Sequence, residues 1–399
     1  MQNPTETELF DRVRTLTPVA AILEEAADLG AGGVYLVGGT LRDVILGRQF
    51  LDVDLAVDGD ALRLAFAIGV PEGIESRFGT LRVTRDGMRY DLARTRAESY
   101  AEPGALPDVE PARIDADLSR RDFTVNALAL GLTGPQAGEL IAVDNALEDI
   151  AARRLAVLHD RSFEDDPTRL LRLARYAARL GFEIAPHTRV LAERAVKDGA
   201  LDTISDTRIG NELRLLAAEP DPVSAFEMVS ALELGWSIDG QLARAALAAL
   251  PPDGRPARVV LACVFAQQHR KAQLARELDH LGFTAPDRDA IAEAAAEAAA
   301  LAERLAKITS RSEIGRTVGT AGIETVALAS AQGSPSQSLL WLQVLRHLNL
   351  DISGEDLIQN GIPEGPQVGR ALQAAKDALL DGLATDHNSQ LTVALKAAE

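Results

Sequence analysis

Residues 34–54 read VYLVGGTLRDVILGRQFLDVD, and this stretch decides the fold. Its first four residues are apolar and predict a short strand that ends at a pair of glycines. Thr40 to Gly47 then predicts one or two helical turns closed by a glycine. Leu51 to Val57 alternates apolar residues with aspartates, which is typical of a strand. The stretch therefore predicts two strands joined through a glycine turn and a short helix.

Asp52 and Asp54 are the first chemical signal in the sequence. Residues two apart in a strand point to the same face, about 7 Å apart at Cα. Two neighbouring carboxylates are costly in a core unless a cation neutralises them, and Mg²⁺ binds one or two carboxylates together with substrate phosphates. The alternative is a solvated edge strand with two surface acids. The pair is thus a candidate metal site, with both aspartates as metal ligands and catalytic residues.

Gly38, Gly39 and Arg42 precede the aspartates and suit a phosphate group. Glycines let backbone N–H groups approach a phosphate without hindrance from Cβ, and the following helix points its N-terminus at the same place. Arg42 could then clamp a triphosphate. Two adjacent glycines alone mark ordinary turns more often. Their combination with an arginine and an Asp-x-Asp strand within seventeen residues is much more specific.

This combination resembles the polymerase-β-like nucleotidyltransferases. It is most similar to the family of class II tRNA nucleotidyltransferases and bacterial poly(A) polymerases, whose first motif is Gly-Gly-x-x-Arg-Asp followed by Asp-x-Asp. The resemblance implies an α+β fold, in which a head with a small mixed β-sheet precedes all-helical neck, body and tail domains. We expect the head at residues 1–150, the neck at 151–220, the body at 221–350 and the tail at 351–399.

A second motif reads Arg120-Arg121-Asp122-Phe123-Thr124-Val125-Asn126-Ala127. If this segment is helical, Asp122 and Asn126 share a face and could bind a ribose hydroxyl, while Arg121 could meet a phosphate. Alternatively, Asp122 is the N-cap of a solvated helix. Spacing alone leaves the two interpretations even. The segment is close to the family's second motif, and the resemblance implies ribose and triphosphate recognition.

Four arginines follow on a helix that is predicted to begin near Pro167. They project within one arc of about 120°, opposite a face of leucine and alanine. Acids do not interleave among them, so we expect them to lack the usual partners four residues away. A solvated amphipathic face is the alternative. In the nucleotide-binding interpretation Arg172 and Arg175 hold phosphates. The four are Arg169, Arg172, Arg175 and Arg179.

Asp166 and Arg169 stand where the family has Glu-Asp-x-x-Arg. A carboxylate only accepts hydrogen bonds and a guanidinium only donates them. Cytosine and adenine present an amino donor beside a ring-nitrogen acceptor, whereas uracil and guanine present the reverse, so the pair fits C and A. The alternative is that Asp166 is a helix N-cap, although Asp165 could fill that role. Asp165 replaces the family's glutamate, which leaves its own function open.

Weaker signals surround these motifs. Gly79 to Leu92 predicts two strands around a turn at Asp86-Gly87. Asp91, near the end of the second of these strands, is either a third catalytic carboxylate or an ordinary strand-end acid. Residues 97–112 are rich in proline, glycine, alanine and acids, and therefore predict a mobile loop.

The composition limits the class of protein. The 399 residues include 59 acids and 41 bases, and a net charge of −18 argues against a nucleic-acid binder, because phosphate contacts need Lys and Arg. Only five of the bases are lysines, however, and arginine is suited to bidentate phosphate recognition. No stretch of eighteen apolar residues is present, which excludes a membrane-spanning segment. The single cysteine excludes a disulfide framework and fits a reducing cytoplasm.

The resemblance implies Mg²⁺ as cofactor, CTP and ATP as substrates, and the 3′ end of tRNA as acceptor. We therefore expect a cytoplasmic enzyme that adds C and A residues without a nucleic-acid template, and no protein partner can be inferred. A poly(A) polymerase is one alternative, but the mildly acidic segment 379–399 lacks the basic extension expected of it. An enzyme that adds only CC or only A is another. An inactive RNA-binding relative would have lost one of the two aspartates.

Overall fold

The computed structural model of the protein describes residues 5–29, 32–50, 52–72, 79–266 and 271–398. The chain divides into two compact units, Met1–Ser205 and Asp206–Glu399. The first unit contains the described strands together with helices, and the described elements of the second unit are helical. The predicted α+β class is therefore confirmed. The predicted boundaries of head, neck, body and tail at residues 150, 220 and 350 stay predictions.

Ten strands are described in the first unit. They are β1 Gly33–Val37, β2 Asp52–Asp58, β3 Thr80–Arg85, β4 Met88–Arg94, β5 Arg96–Ser99, β6 Asp108–Pro111, β7 Leu128–Gly131, β8 Leu140–Ala142, β9 Arg154–Leu155 and β10 Glu183–Ile184. Six of them form one mixed sheet in the order β3-β4-β2-β1-β7-β8. β2 and β4 are parallel, and the other neighbours are antiparallel.

The two strands predicted from residues 34–57 are the centre of this sheet. β1 is buried along its whole length, and β2 alternates between buried and half-buried residues before it becomes buried on both faces. Leu51, the first residue of the predicted second strand, lies outside the described residues. The predicted hairpin is also confirmed, because β3 and β4 pair around Asp86 and Gly87, which both have positive φ angles of 51° and 77°.

The prediction of a mobile loop at residues 97–112 is wrong at both ends of that segment. β5 and β6 pair as an antiparallel ribbon, with residues 100–107 between them. One of the acids that suggested a loop has partners, since the Glu98 carboxylate accepts hydrogen bonds from Arg96 at 2.8 Å and Arg120 at 2.9 Å. Pro111 stands at the end of β6, where a two-stranded ribbon tolerates the missing N–H.

Helices surround the sheet and continue to the end of the first unit. They are α1 Glu6–Arg14, α2 Thr17–Asp28, α3 Gly38–Ile45, α4 Ala61–Ile68, α5 Ile114–Ser119, α6 Ala146–Ala152, α7 Ser162–Asp165, α8 Thr168–Leu180 and α9 Pro186–Lys197. α8 buries a stripe of leucine and alanine, as its sequence period predicts. It ends at Gly181, whose φ of 63° is the left-handed conformation that glycine supplies at a helix C-terminus.

The second unit has twelve described α-helices. They are α10 Asp206–Ala217, α11 Pro222–Ala231, α12 Gly240–Ala249, α13 Pro256–Phe265, α14 Lys271–His280, α15 Ala285–Leu305, α16 Arg311–Val318, α17 Ile323–Ala331, α18 Pro335–Gln343, α19 Gly354–Gln359, α20 Pro366–Leu380 and α21 His387–Ala398. The last three share an apolar core that includes Leu357, Ala371 and Ala394. Among the described residues, no helix combines the length and apolar composition that crossing a bilayer requires.

Candidate nucleotide-binding site

The glycine turn between β1 and α3 brings the backbone close to two charged side chains. Gly38 has a φ of +62°, and a Cβ added there would lie 2.9 Å from Arg121 Nη1. A Cβ on Gly39 would lie 3.6 Å from Asp54 Oδ2. The positive φ favours glycine at the first position, because side chains of L-residues rarely adopt it. The turn therefore presents bare backbone beside Asp54 and Arg121, as the phosphate-binding interpretation predicts.

Thr40 connects this turn to the strand of aspartates. Its buried hydroxyl donates to the Asp52 carbonyl at 3.1 Å and accepts the Asp54 N–H at 2.9 Å. One side chain of α3 thereby fixes the position of β2 at the two aspartates that the sequence predicts as metal ligands. Thr40 was not among the site residues predicted from the sequence. A hydroxyl directly after the glycine pair is the signal that could have indicated it.

Asp52 and Asp54 lie two apart on β2, as predicted. Burial raises the pKa of Asp54 to about 6, and the neighbouring charge of Asp52 adds to this effect, while Arg121 opposes it. Asp52 forms an ion pair with Arg89. Two adjacent carboxylates, one with a raised pKa, form a donor set that fits a divalent cation, because a cation would offset the repulsion between them.

Asp91 lies on β4 directly beside Asp54 in the parallel register. Its carboxylate contacts Arg82 at 2.8 Å and Arg89 at 3.6 Å. Within the ranges that the structure describes, no three side chains of His, Cys, Asp or Glu gather closely enough to hold a metal. The strand register thus brings the third predicted carboxylate next to the pair, while arginines hold its side chain.

The second motif does not continue as the α-helix considered from its spacing. α5 ends at Ser119, and Thr124–Asn126 forms a single 3₁₀ turn. Asp122 and Asn126 nevertheless touch, since Asn126 Nδ2 donates to Asp122 Oδ1 at 3.1 Å. The 3₁₀ turn brings the two side chains into contact without an α-helix over residues 122–126. The α-helix considered for this segment is therefore wrong, whereas the expected proximity of Asp122 and Asn126 is correct.

Asp122 and Asn126 connect arginines from two different elements. Asn126 Oδ1 accepts a hydrogen bond from Arg42 Nη1. Asp122 Oδ2 accepts from Arg172 Nε at 2.9 Å. Burial alone would raise the pKa of Asp122, but Arg172 and Asn126 lower it to about 2. A continuous chain of polar contacts therefore runs from Arg42 on α3 to Arg172 on α8.

Arg121 is held by Asp117 of α5. Its Nη2 donates to Asp117 Oδ2 at 2.9 Å, and Arg120 donates to the other oxygen of the same carboxylate at 2.6 Å. Burial opposes ionisation of Asp117, yet Arg121 and Arg120 keep its pKa below the ordinary value. Asp117 lies outside the motif quoted from the sequence and was missed. It is the residue that aims Arg121 towards the glycine turn.

The arginines of α8 have hydrogen-bond partners outside their own helix. Arg169 is buried, and its Nη1 donates to Ser162 Oγ at 2.9 Å while its Nη2 donates to the Arg120 carbonyl at 2.7 Å. Arg172 is paired with Asp122. The acidic partners four residues away that the sequence lacks are therefore replaced by acceptors from elsewhere in the chain. The actual acceptors come from α7 and from the second motif.

Asp166 occupies the start of α8. Its Oδ1 accepts from the Thr168 N–H at 3.0 Å and from the Thr168 hydroxyl at 2.6 Å. The helix-start role considered for Asp166 is therefore present. Asp165 does not fill it and instead pairs with Arg161 at 3.1 Å. Only one oxygen of Asp166 makes these two contacts, so they leave the predicted role in base recognition untested.

Tyr176 was missed entirely by the sequence analysis. The guanidinium carbon of Arg175 lies 5.0 Å from its ring centroid, that of Arg172 lies at 5.6 Å and that of Arg42 at 5.8 Å. Phe123 meets the same ring edge-on, at 5.9 Å between centroids. Its position four residues after Arg172 is the signal that could have indicated it.

Known proteins are similar to this chain in the region that contains the motifs. Residues 34–156 match the family described as the Poly A polymerase head domain. A CC-adding tRNA nucleotidyltransferase from Deinococcus radiodurans is 37% identical over 345 residues, which cover 84% of this chain and 82% of that protein. The chain belongs to the tRNA nucleotidyltransferase family. The family predicted from the glycine turn and the aspartates is thereby confirmed.

Other members of the tRNA nucleotidyltransferase family match in different proportions. An A-adding tRNA nucleotidyltransferase from Geobacter sulfurreducens is 42% identical over 228 residues, and the chain spans only 26% of its length. A solved structure of a CCA-adding enzyme in an apo form is 27% identical, with a TM-score of 0.79 over 99% of this chain and 100% of that one. The fold is therefore shared over the whole chain, whereas the three names differ in the nucleotides added.

Proposed function

We propose that this protein adds C and A residues from CTP and ATP to the 3′ end of tRNA without a nucleic-acid template, with Mg²⁺ as cofactor. The observation that carries the proposal is the placement of Asp54, two residues after Asp52 on β2, beside the bare backbone of Gly38 and Gly39. Paired carboxylates next to a phosphate-binding turn supply the groups that phosphoryl transfer needs. The relatives support tRNA as the acceptor, since their names specify it.

Asp52 and Asp54 would hold Mg²⁺. Bound to these two carboxylates, Mg²⁺ would supply Lewis acidity towards the tRNA 3′-hydroxyl and positive charge beside the pyrophosphate. Asp91, in register beside Asp54, is proposed as a third catalytic carboxylate. Burial, with a smaller contribution from the charge of Asp52, raises the pKa of Asp54 to about 6, and a nearby cation would favour its ionised form.

The remaining residues of the site bind the nucleotide. The backbone of Gly38 and Gly39 approaches the triphosphate, and four arginines contribute positive charge around it. Asp122 and Asn126, fixed to each other at 3.1 Å, face the ribose. The four are Arg42, Arg121, Arg172 and Arg175.

Asp166 and Arg169 select the base in this proposal. They stand three residues apart at the start of α8, and Arg169 is fixed from behind by Ser162 and by the Arg120 carbonyl. A carboxylate and a guanidinium held in fixed positions accept from and donate to the edges of C and A, and they oppose U and G with like groups. The protein itself therefore takes the place of a template.

The helical residues beyond the head are proposed to serve the tRNA. The neck at residues 151–220 carries the base-selecting pair, and the body and tail hold the acceptor arm largely through its backbone and shape, because double-stranded RNA is recognised in that way. Action on tRNA would place the protein in the cytoplasm.

The test supplies the purified protein with Mg²⁺, one labelled NTP at a time, and a tRNA transcript that lacks CCA, ends in C, or ends in CC. Full CCA addition predicts C incorporation on the first two transcripts and A on the third. A CC-adding enzyme would fail on the third, and an A-adding enzyme would work only there. Long A tracts on unrelated RNA would identify a poly(A) polymerase. Absence of incorporation with every combination of NTP and tRNA transcript would refute the proposal.

A further inference from the structure

Tyr176 lies among three arginine side chains. Three guanidiniums, from Arg42, Arg172 and Arg175, lie within 5.8 Å of its centroid. Arg172 and Arg175 come from α8, whereas Arg42 comes from α3 at the glycine turn. The ring is therefore the point at which the cations of the two parts of the nucleotide site converge.

Three like charges at this separation repel one another. Asp122 pairs with Arg172, and Asp43 pairs with Arg42 at 2.9 Å, so carboxylates compensate part of the charge. The face of an aromatic ring carries the negative part of its quadrupole and attracts a guanidinium placed over it. The Tyr176 ring thus attracts each of the three guanidiniums. It does so without adding a formal negative charge to the site.

The orientation of the ring is fixed independently of the arginines. Phe123, which is fully buried, meets Tyr176 edge-on with an angle of 79° between the ring planes. Phe123 belongs to the second motif, directly after Asp122. The motif that binds Arg172 through its carboxylate also sets the angle of the ring beneath that arginine.

We propose that Tyr176 is a positioning residue for the triphosphate: its ring holds the guanidiniums of Arg42, Arg172 and Arg175 in the directions that bind the phosphates of the incoming nucleotide. This inference rests on the proposed function for the identity of the ligand. A residue that merely fills space on α8 would affect the stability of the fold and leave phosphate affinity unchanged. The ring itself, rather than its hydroxyl, carries the effect, because the hydroxyl accepts a long hydrogen bond from Arg172 Nη2, at 3.5 Å.

The experiment titrates the folded protein with inorganic tripolyphosphate in a calorimeter at fixed ionic strength, without tRNA. Tyr176→Phe keeps the ring, and we expect its Kd within two-fold of the unsubstituted protein. Tyr176→Leu removes the ring, and we expect binding to weaken by about ten-fold or more, since three cation–ring contacts are lost. If the Tyr176→Leu protein does not fold, Tyr176→Met replaces it, because the methionine side chain is closer in length to tyrosine.

Phe182→Leu is the matched control. It removes a buried ring that carries one guanidinium, Arg48 at 5.9 Å, outside the cluster. We expect it to lower Tm and to leave tripolyphosphate binding within two-fold. In the addition assay, Tyr176→Leu should raise KM for CTP in proportion to the lost affinity, with kcat within about three-fold and KM for tRNA unchanged.

Unchanged tripolyphosphate affinity in a folded Tyr176→Leu or Tyr176→Met protein overturns the inference. Equal losses in Tyr176→Phe and Tyr176→Leu also overturn it, because the hydroxyl would then be responsible. Absence of tripolyphosphate binding by the unsubstituted protein overturns it as well. If the protein binds tripolyphosphate with the expected pattern of variants but adds no nucleotide to tRNA, the inference stands and the proposed function fails.

Discussion

The candidate nucleotide site has two sides, on which the pKa of a buried aspartate shifts in opposite directions. On the carboxylate side, Asp52 and Asp54 of β2, burial and mutual repulsion raise the pKa of Asp54 to about 6. On the arginine side, formed by Arg169, Arg172 and Arg175 of α8, Arg172 offsets the burial of Asp122 and its pKa falls to about 2. On the carboxylate side, the proposed Mg²⁺ would relieve the repulsion between the two aspartates. On the arginine side, the counter-charge of the buried carboxylate comes from the fold itself, through Arg172.

The largest effect is expected on the carboxylate side. Asp54→Asn should lower the rate of nucleotide addition by about 10³-fold or more, because a metal ligand worth several kcal/mol in the transition state is lost. Its free energy of unfolding should stay the same or rise, since one of two repelling carboxylates is removed. Single-turnover incorporation of labelled CMP and urea unfolding measure the two quantities.

Asp58→Asn is the control for this prediction. Asp58 is an exposed residue at the end of the same strand, and its substitution should change neither quantity. An Asp54→Asn protein that is active at ordinary Mg²⁺ would contradict the metal assignment. A strongly destabilised one would break the contrast between the two sides.

The second effect concerns stability on the arginine side. Asp122→Asn should lower the free energy of unfolding by about 2 kcal/mol at pH 6, the value that corresponds to a folded pKa near 2 against 3.8 in the unfolded chain. A lowered folded pKa stabilises the protein fully above the unfolded value, and the contribution is lost as pH falls towards 2. The difference between the two proteins should therefore shrink by about half at pH 3.

Urea unfolding of both proteins from pH 6 to pH 3 measures this change. Asp160→Asn provides the comparison, because Asp160 pairs with His187 in solvent, with its side chain 77% exposed. Exposed pairs contribute less than about 1 kcal/mol. A difference at Asp122 that does not depend on pH would mean that packing, and not the ion pair with Arg172, stabilises this side.

The sequence predicts the carboxylate side well and the arginine side poorly, for a physical reason. Gly38, Gly39, Asp52 and Asp54 act within one local strand-turn-helix-strand unit, so spacing alone places them together. The partners of the arginines are distant along the chain: Asp122 lies 50 residues from Arg172, and the Arg120 carbonyl lies 49 residues from Arg169. Such contacts depend on how α8 packs on the second motif, which no local pattern encodes.

The third effect tests whether the arginine side also selects the base. Asp166 accepts from Thr168 through one oxygen, and asparagine caps a helix as well as aspartate does. Asp166→Asn should therefore keep its Tm, while the ratio of kcat/KM for CTP over UTP falls by about 10²-fold, because the amide presents a donor where C and A require an acceptor. Measurement of all four NTPs on a tRNA ending in C gives the ratio. An unchanged ratio in the active variant would reduce Asp166 to a helix cap.

The smallest effect is expected one residue earlier, at Asp165. Its carboxylate pairs with Arg161 at 3.1 Å, and that arginine is 65% exposed, so the pair contributes less than about 1 kcal/mol. Asp165 is absent from the hydrogen bonds that hold Asp166 and Arg169, and Thr168 takes its cap from Asp166. Asp165→Ala should therefore shift Tm by at most a few degrees and preserve the CTP-over-UTP ratio. If this variant loses selectivity as Asp166→Asn does, base choice depends on the charge of the whole α7–α8 corner, and the assignment to a single Asp/Arg pair is wrong.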